Sequence, residues 1–166
     1  ASMEKLPFRP GTFDLILSVA SIHHSELLDQ VVAECARVLR PGGKLALTSE
    51  PCLAILKEKR VHNEETEAGI NEHTYNILDY RRAFRSAALK ATYHLPGALV
   101  AMLEGSGAEP GDAPFKTLVL RLTRLLWGRK AMRGLLRSQP ANLLGLSFFE
   151  YGLTVVAEKQ PGASVP

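Results

Sequence analysis

"FDLILSVASIHHSELLDQVVAECARVLRPGGKLALTSEP", residues 13–51, decides the fold. Phe13 to Ala20 is an almost unbroken apolar run. A run of that length without polar alternation fits a strand covered on both faces, as in a parallel sheet. Ser25 is a plausible N-cap, with Glu26 in the first helical turn. Leu28, Val31 or Val32, Cys35 and Leu39 then recur at helical spacing. Pro41-Gly42-Gly43 stops the helix, and "KLALTSEP", 44–51, is a second short strand. Strand, helix and strand joined by short connections make a βαβ unit.

Working outward, "LPFRPGT" supplies a Pro/Gly turn at Pro10 and Gly11 ahead of the first strand. Downstream, residues 52–73 are charged and mixed and read as a helix or loop. "NILDYRRAFRSAAL" is a firmer helix. Asn76 followed by Asp79 is patterned as a capping box, and Ile77, Tyr80, Phe84 and Ala87 form the apolar stripe. "ATYHLP" is a short strand, 104–114 a loop, 115–137 helical, and "FFEYGLTVVAEK" the final strand.

The 166 residues suit one domain, and 46% apolar content supports a real core. No apolar run reaches the ~18 residues that cross a bilayer. The first residues show no secretory pattern. Cys35 and Cys52 are too few for a disulfide framework, and no metal-type pair is present, so no metal site is expected. A reducing, cytoplasmic setting is the simplest expectation. The net charge of +3 hides an asymmetry: twelve basic and fifteen acidic side chains in 1–112, eight basic and two acidic from 113 onward. Between Asp112 and Glu150 there is no acid.

Leu6-Pro7-Phe8, the turn, Phe13-Asp14 with its apolar strand, a His near the strand end, Glu34 with Arg37-Val38-Leu39, and Pro41-Gly42-Gly43 occur in one order. This combination, over residues 2–51, resembles the middle of class I S-adenosylmethionine-dependent methyltransferases, the small-molecule branch. The helix after "NEHTY" is similar too, although Ala87-Ala88-Leu89 stands where the family usually has Ala-Gly-Phe. The resemblance implies an α/β fold: a partial Rossmann-like methyltransferase sheet of parallel strands plus a final antiparallel strand, with a helical insertion. Domain limits follow as 1–160, with 98–147 a lid-like insertion and 161–166 a tail. The family's Gly-rich turn and the acid that holds the ribose lie in strands before this segment, and neither is found upstream of Leu6. "MLEGSGAEPG", 102–111, lacks a spacer residue and the third glycine, and reads as an ordinary loop. The chain therefore reads as the C-terminal, acceptor-side part of such an enzyme, a fragment. An exposed apolar edge is expected on its first strand, a route to self-association.

Ligands in open α/β sheets bind beyond the carboxyl ends of the strands. His23 and His24 fall there and are candidate catalytic bases, because removing a proton from a hydroxyl or amine acceptor suits imidazole. The plainer reading is one ring capping the next helix and one ring packed. By resemblance, Ser2, Met3, Ser18, Val19 and Ala20 border the S-adenosylmethionine cofactor. Glu50, His73 and Tyr75 are candidate acceptor contacts; a solvent-facing strand-end acid and a helix-entry turn are the alternatives. Glu34 and Arg37, three apart on one helix, read as a structural pair.

The basic stretch 115–137 holds Lys116, Arg121, Arg124, Arg129, Lys130, Arg133 and Arg137 around Trp127. It suits a lid over a small-molecule or lipid-like acceptor, or contact with a membrane surface; the alternative is a solvated cover helix. Without interleaved aromatics it does not point to nucleic acid. The competing functional reading is a non-catalytic module that binds a partner through its exposed sheet edge.

Overall fold

The computed structural model describes residues 2–25, 27–55, 73–95, 134, 138–148 and 151–162. In chain order they form β1 (Phe13–Val19), a 3-10 turn (Ile22–His24), α1 (Leu28–Val38), β2 (Leu39–Leu53), β3 (Tyr75–Asn76), α2 (Ile77–Ser86), β4 (Leu89–His94), α3 (Gln139–Phe148) and β5 (Tyr151–Lys159). The sheet order is β1-β2-β5-β4, with β3 beside the far end of β2. β1 and β3 run parallel to β2, while β5 is antiparallel to both β2 and β4. The parallel sheet with a final antiparallel strand that the sequence implies is present. Most of the expected lid, including 115–133 and 135–137, lies outside the described residues.

One face of the sheet carries the core. Leu45 and Leu47 of β2 and Leu153, Val155 and Ala157 of β5 pack with Val31, Val32 and Cys35 of α1 and Ile77, Tyr80 and Phe84 of α2. These are the positions the helical spacing selects. Burial pushes the Cys35 thiol up to about 11 and the Cys52 thiol up to about 12, so both act as small apolar groups.

Long-range polar ties close the frame. Glu34 and Arg37 form the expected pair, Nη2 to Oε1 at 2.7 Å. They also take the Leu6 N–H (2.7 Å) and reach the Leu6 and Phe8 carbonyls, which fixes the N-terminal segment against α1. The Arg37 guanidinium holds the Glu34 carboxyl below its usual range. Lys159, at the end of β5, donates to the Ala36 and Leu39 carbonyls at 2.7 and 2.9 Å. Its ammonium thus serves the C-terminus of α1, where a cation is favoured.

Two local readings differ. Helix α1 begins at Leu28 with Leu27 in the cap position, and Ser25 is not its N-cap. The Ser25 hydroxyl accepts the Leu27 N–H at 3.1 Å and donates to Glu4, so it closes a turn before the helix. The expected strand 44–51 runs from Leu39 to Leu53 and takes in Pro41-Gly42-Gly43. The capping box at α2 is as read: Asn76 accepts from Leu78 and Asp79, and Asp79 accepts from the Asn76 N–H.

The opposite face begins at β1. Leu15, Leu17 and Val19 are 60%, 64% and 55% exposed, and β1 pairs with β2 alone among the described strands. This is the exposed apolar first strand that the family resemblance implies, and it departs from the reading of the unbroken apolar run as a strand covered on both faces: among the described residues nothing packs on the side that Leu15, Leu17 and Val19 present.

Candidate active site at the strand ends

Along β2, Leu45 and Leu47 point into the core. Strict alternation places residue 49 beside them and residue 50 on the other face. The observed order is reversed by a bulge. Leu47 pairs with Val155 and Glu50 with Leu153, so β2 advances three residues while β5 advances two. Ser49 takes φ 59, a left-handed conformation unusual outside glycine, and is exposed. Glu50 is thereby turned onto the core face and is fully buried. Bulges that re-aim a side chain are common beside functional sites. Gly152 makes room for this one: a Cβ there would stand 3.2 Å from the Ser49 Cα. Gly152→Val is expected to displace the bulge and destabilise the fold by about 1–3 kcal/mol, read from urea unfolding.

Glu50 gathers the loop after β1. Its Oε1 accepts from the Ser21 N–H (2.9 Å), the Ile22 N–H (3.1 Å) and the Ser18 hydroxyl (3.2 Å). Its Oε2 lies 2.9 Å from His23 Nδ1 and 3.3 Å from the His23 backbone nitrogen. Burial alone raises the Glu50 carboxyl. The His23 ring and the Ser21 and Ile22 amides outweigh it, and the group is held below its ordinary value of 4.5. A carboxylate only accepts, so Nδ1 carries the ring proton and Nε2 is the basic nitrogen of a neutral His23.

The other candidates gather at the same end of the sheet. His24 is exposed and its ring lies 4.1 Å from that of His23, centroid to centroid. The His73 N–H donates to the His23 carbonyl at 2.9 Å, and the Tyr75 hydroxyl to the Ser25 carbonyl at 2.8 Å. Both therefore brace the turn from the segment leading into α2, and their rings stack 6.2 Å apart. Ser2 bonds to Glu4, whose other carboxylate oxygen accepts from Ser25 at 2.5 Å. Met3 packs against the core. This brings the N-terminal segment beside the turn. The Ser18 side chain is engaged by Ser21 (2.7 Å) and Glu50, whereas Val19 is exposed. Ala20 takes φ 44 and donates to the Thr48 carbonyl.

Glu50 is thus no solvent-facing acid and presents no surface to an acceptor; it holds the turn that carries His23 and His24. Sequence reasoning missed Glu4, Ser21 and Ser25, whose partners lie far along the chain. No group of three His, Cys, Asp or Glu able to hold a metal occurs among the described residues.

Residues 1–47 match a family model described as a methyltransferase domain. The malonyl-[acyl-carrier protein] O-methyltransferase of Methylococcus capsulatus is 45% identical over 56 residues, which is 32% of this chain and 20% of that protein. A geranyl diphosphate methyltransferase, solved with GPP and sinefungin, superposes with a TM-score of 0.54 at 18% identity, covering 96% of this chain and 51% of that one. The [4+2]-cyclase SpnF gives the same score at 16% identity, covering 98% and 56%. The chain spans about half the length of these two structures, and the aligned segment a fifth of the curated relative. These likenesses establish the Rossmann-like fold and a methyltransferase-domain sequence over the first 47 residues. That a cyclase shares the fold shows that the fold alone does not set the reaction.

Proposed function

We propose that this chain is the acceptor-side portion of an S-adenosylmethionine-dependent methyltransferase that acts on a small-molecule or lipid-like acceptor. The observation that carries the reading is the buried Glu50–His23 pair, which fixes a two-histidine turn at the carboxyl end of β1 inside a methyltransferase-domain sequence. S-adenosylmethionine, when bound, supplies a methyl group on a sulfonium. The residues present fit one flank of it: Ser2 and Met3 lie on a segment tied to the turn through Glu4 and Ser25, Ser18 and Val19 end β1, and Ala20 follows it.

The chain's own task is to place and deprotonate the acceptor. His24, exposed beside His23, takes the proton of an acceptor hydroxyl or amine. His23 is held by Glu50 with Nδ1 protonated, so its ring orientation is set in advance and supports His24. His73 and Tyr75 keep the turn closed from the α2 side. The basic composition of 115–137, nearly all of it outside the described residues, suits contact with an anionic or lipid-like acceptor or a membrane surface. No nucleic-acid role is assigned. No helix among the described residues is long and apolar enough to cross a membrane. The expected setting is the cytoplasm.

The test uses the intact protein with S-adenosylmethionine and a panel of acceptors, a malonyl thioester and geranyl diphosphate among them, with products read by mass spectrometry. Appearance of a product 14 mass units heavier supports the reading; no product from any acceptor, with S-adenosylhomocysteine also failing to bind, overturns it.

The exposed face of β1 favours a second reading, a non-catalytic module that associates through that strand. It predicts concentration-dependent self-association in sedimentation velocity that the Leu15→Lys, Leu17→Lys double variant abolishes.

A further inference from the structure

The far edge of the sheet offers a site independent of any reaction. β4 pairs with β5 on one side only among the described strands. On its other side the Gln139 side chain accepts the Tyr93 N–H at 2.7 Å and donates to the Tyr93 carbonyl at 3.1 Å. The Asn142 side chain donates to the same carbonyl at 2.9 Å, so two side-chain amides close the edge at Tyr93 in the place a neighbouring strand's peptide group takes. In an antiparallel ladder, residues two apart aim their backbone groups to the same side. Leu89 and Ala91 therefore present theirs on this same outer edge, and no partner for them occurs among the described residues.

That edge floors an open groove of about 520 Å³, bounded by Arg81 and Arg85 of α2 and by Gln139 and Leu143 of α3. Lys90 lines it as well, and no acidic side chain does. Arg81 and Arg85 make no ion pair among the described residues, unlike Arg82, which reaches Asp29 at 3.2 Å. Both guanidiniums act on the Tyr93 hydroxyl, opposing the burial that pushes it up to about 12. Lys90 pairs across the ladder with Glu158, on the face away from α2. A strand laid beside β4 therefore meets Arg81 and Arg85 on its α2 side, while on the other face Lys90 stands beside Glu158.

We propose that the outer edge of β4 docks an acidic peptide segment in extended conformation, which adds as a further strand beside Leu89 and Ala91 with its carboxylates against Arg81 and Arg85. Backbone pairing supplies the register and the two arginines supply the selectivity, the usual division of labour in strand addition.

The probe is a fluorescein-labelled hexapeptide of four glutamates and two valines, titrated into the full chain by fluorescence anisotropy at low and physiological salt. Saturable binding is expected, weakened at least tenfold in the Arg81→Glu, Arg85→Glu double variant, with the Ala91 amide protected from hydrogen exchange in the complex. Both side chains are at least partly solvent-exposed, and a thermal melt checks that the variant is folded. A version N-methylated at alternate amides separates strand addition from simple charge attraction, and is expected to bind at least tenfold more weakly. The proposal is overturned by absence of binding, by equal binding of the N-methylated peptide, by an unprotected Ala91 amide, or by full displacement with inorganic phosphate at equal charge.

Discussion

Glu50→Ala is expected to destabilise the protein by about 3–5 kcal/mol in urea unfolding, because it strands buried donors rather than deleting one contact. The Ser21 and Ile22 amides and the His23 ring all end on this carboxylate, and the side chain is fully buried. Glu50→Gln separates fold from orientation. Its amide oxygen still accepts the two backbone N–H groups, so stability falls by only about 1–2 kcal/mol. Its NH2 meets His23 Nδ1, which must then lose its proton to accept, so the ring changes tautomer. The ¹⁵N shifts of the imidazole report that exchange directly, and a loss of activity in a folded Glu50→Gln protein marks a positioning role. The same carboxylate sets an acid limit. Its folded-state value lies below 4.5, so folding favours the ionised form. That stabilisation is complete above the ordinary glutamate range and is lost as pH falls through the lowered folded value. Glu50→Gln should flatten the fall in stability with pH in that acidic window.

His24→Ala is expected to leave the melting temperature within the error of measurement and to lower kcat about 100- to 10,000-fold in the intact protein, the range of a missing general base. The ring is exposed, so little packing is lost. His23→Ala behaves differently: it removes a buried ring and leaves Glu50 without its side-chain donor. Loss of stability should accompany its loss of activity. Single-turnover rates beside unfolding curves distinguish the two. Equal kinetic effects of both substitutions with equal loss of stability would show that neither histidine handles a proton and that the turn is only scaffold.

The frame was legible because its signals are local. The apolar run at Phe13–Ala20, the helical spacing of Leu28, Val32 and Cys35, and the Asn76–Asp79 capping box each lie within a few residues and are found in the elements their patterns name; Leu39, the last of the helical series, instead ends α1 in extended conformation and opens β2. Histidines after a strand in an α/β pattern were enough to find the turn at the end of β1 that Glu50 gathers. The role of Glu50 was not legible. Alternation from Leu45 and Leu47 sends residue 50 to the opposite face, and only the bulge at Ser49 turns it inward. That bulge depends on Gly152 and Leu153, a hundred residues later and from another strand. The cap position failed for a related reason. Ser25 has the right chemistry, but its hydroxyl is claimed by Glu4, twenty-one residues earlier. Gln139 at the edge of β4 is a third case, a side chain replacing a strand across 46 residues.

The central claim is that the end of β1 is a cofactor-side site held in shape by Glu50. It is tested most directly by titrating S-adenosylhomocysteine into the ¹⁵N-labelled chain and following its amide resonances. The account predicts saturable shifts concentrated at Met3, Ser18–Ala20 and His23–His24, and their loss in the folded Glu50→Gln variant. A folded chain whose spectrum stays unchanged at millimolar ligand, or whose shifts centre on another part of the sheet, would contradict it.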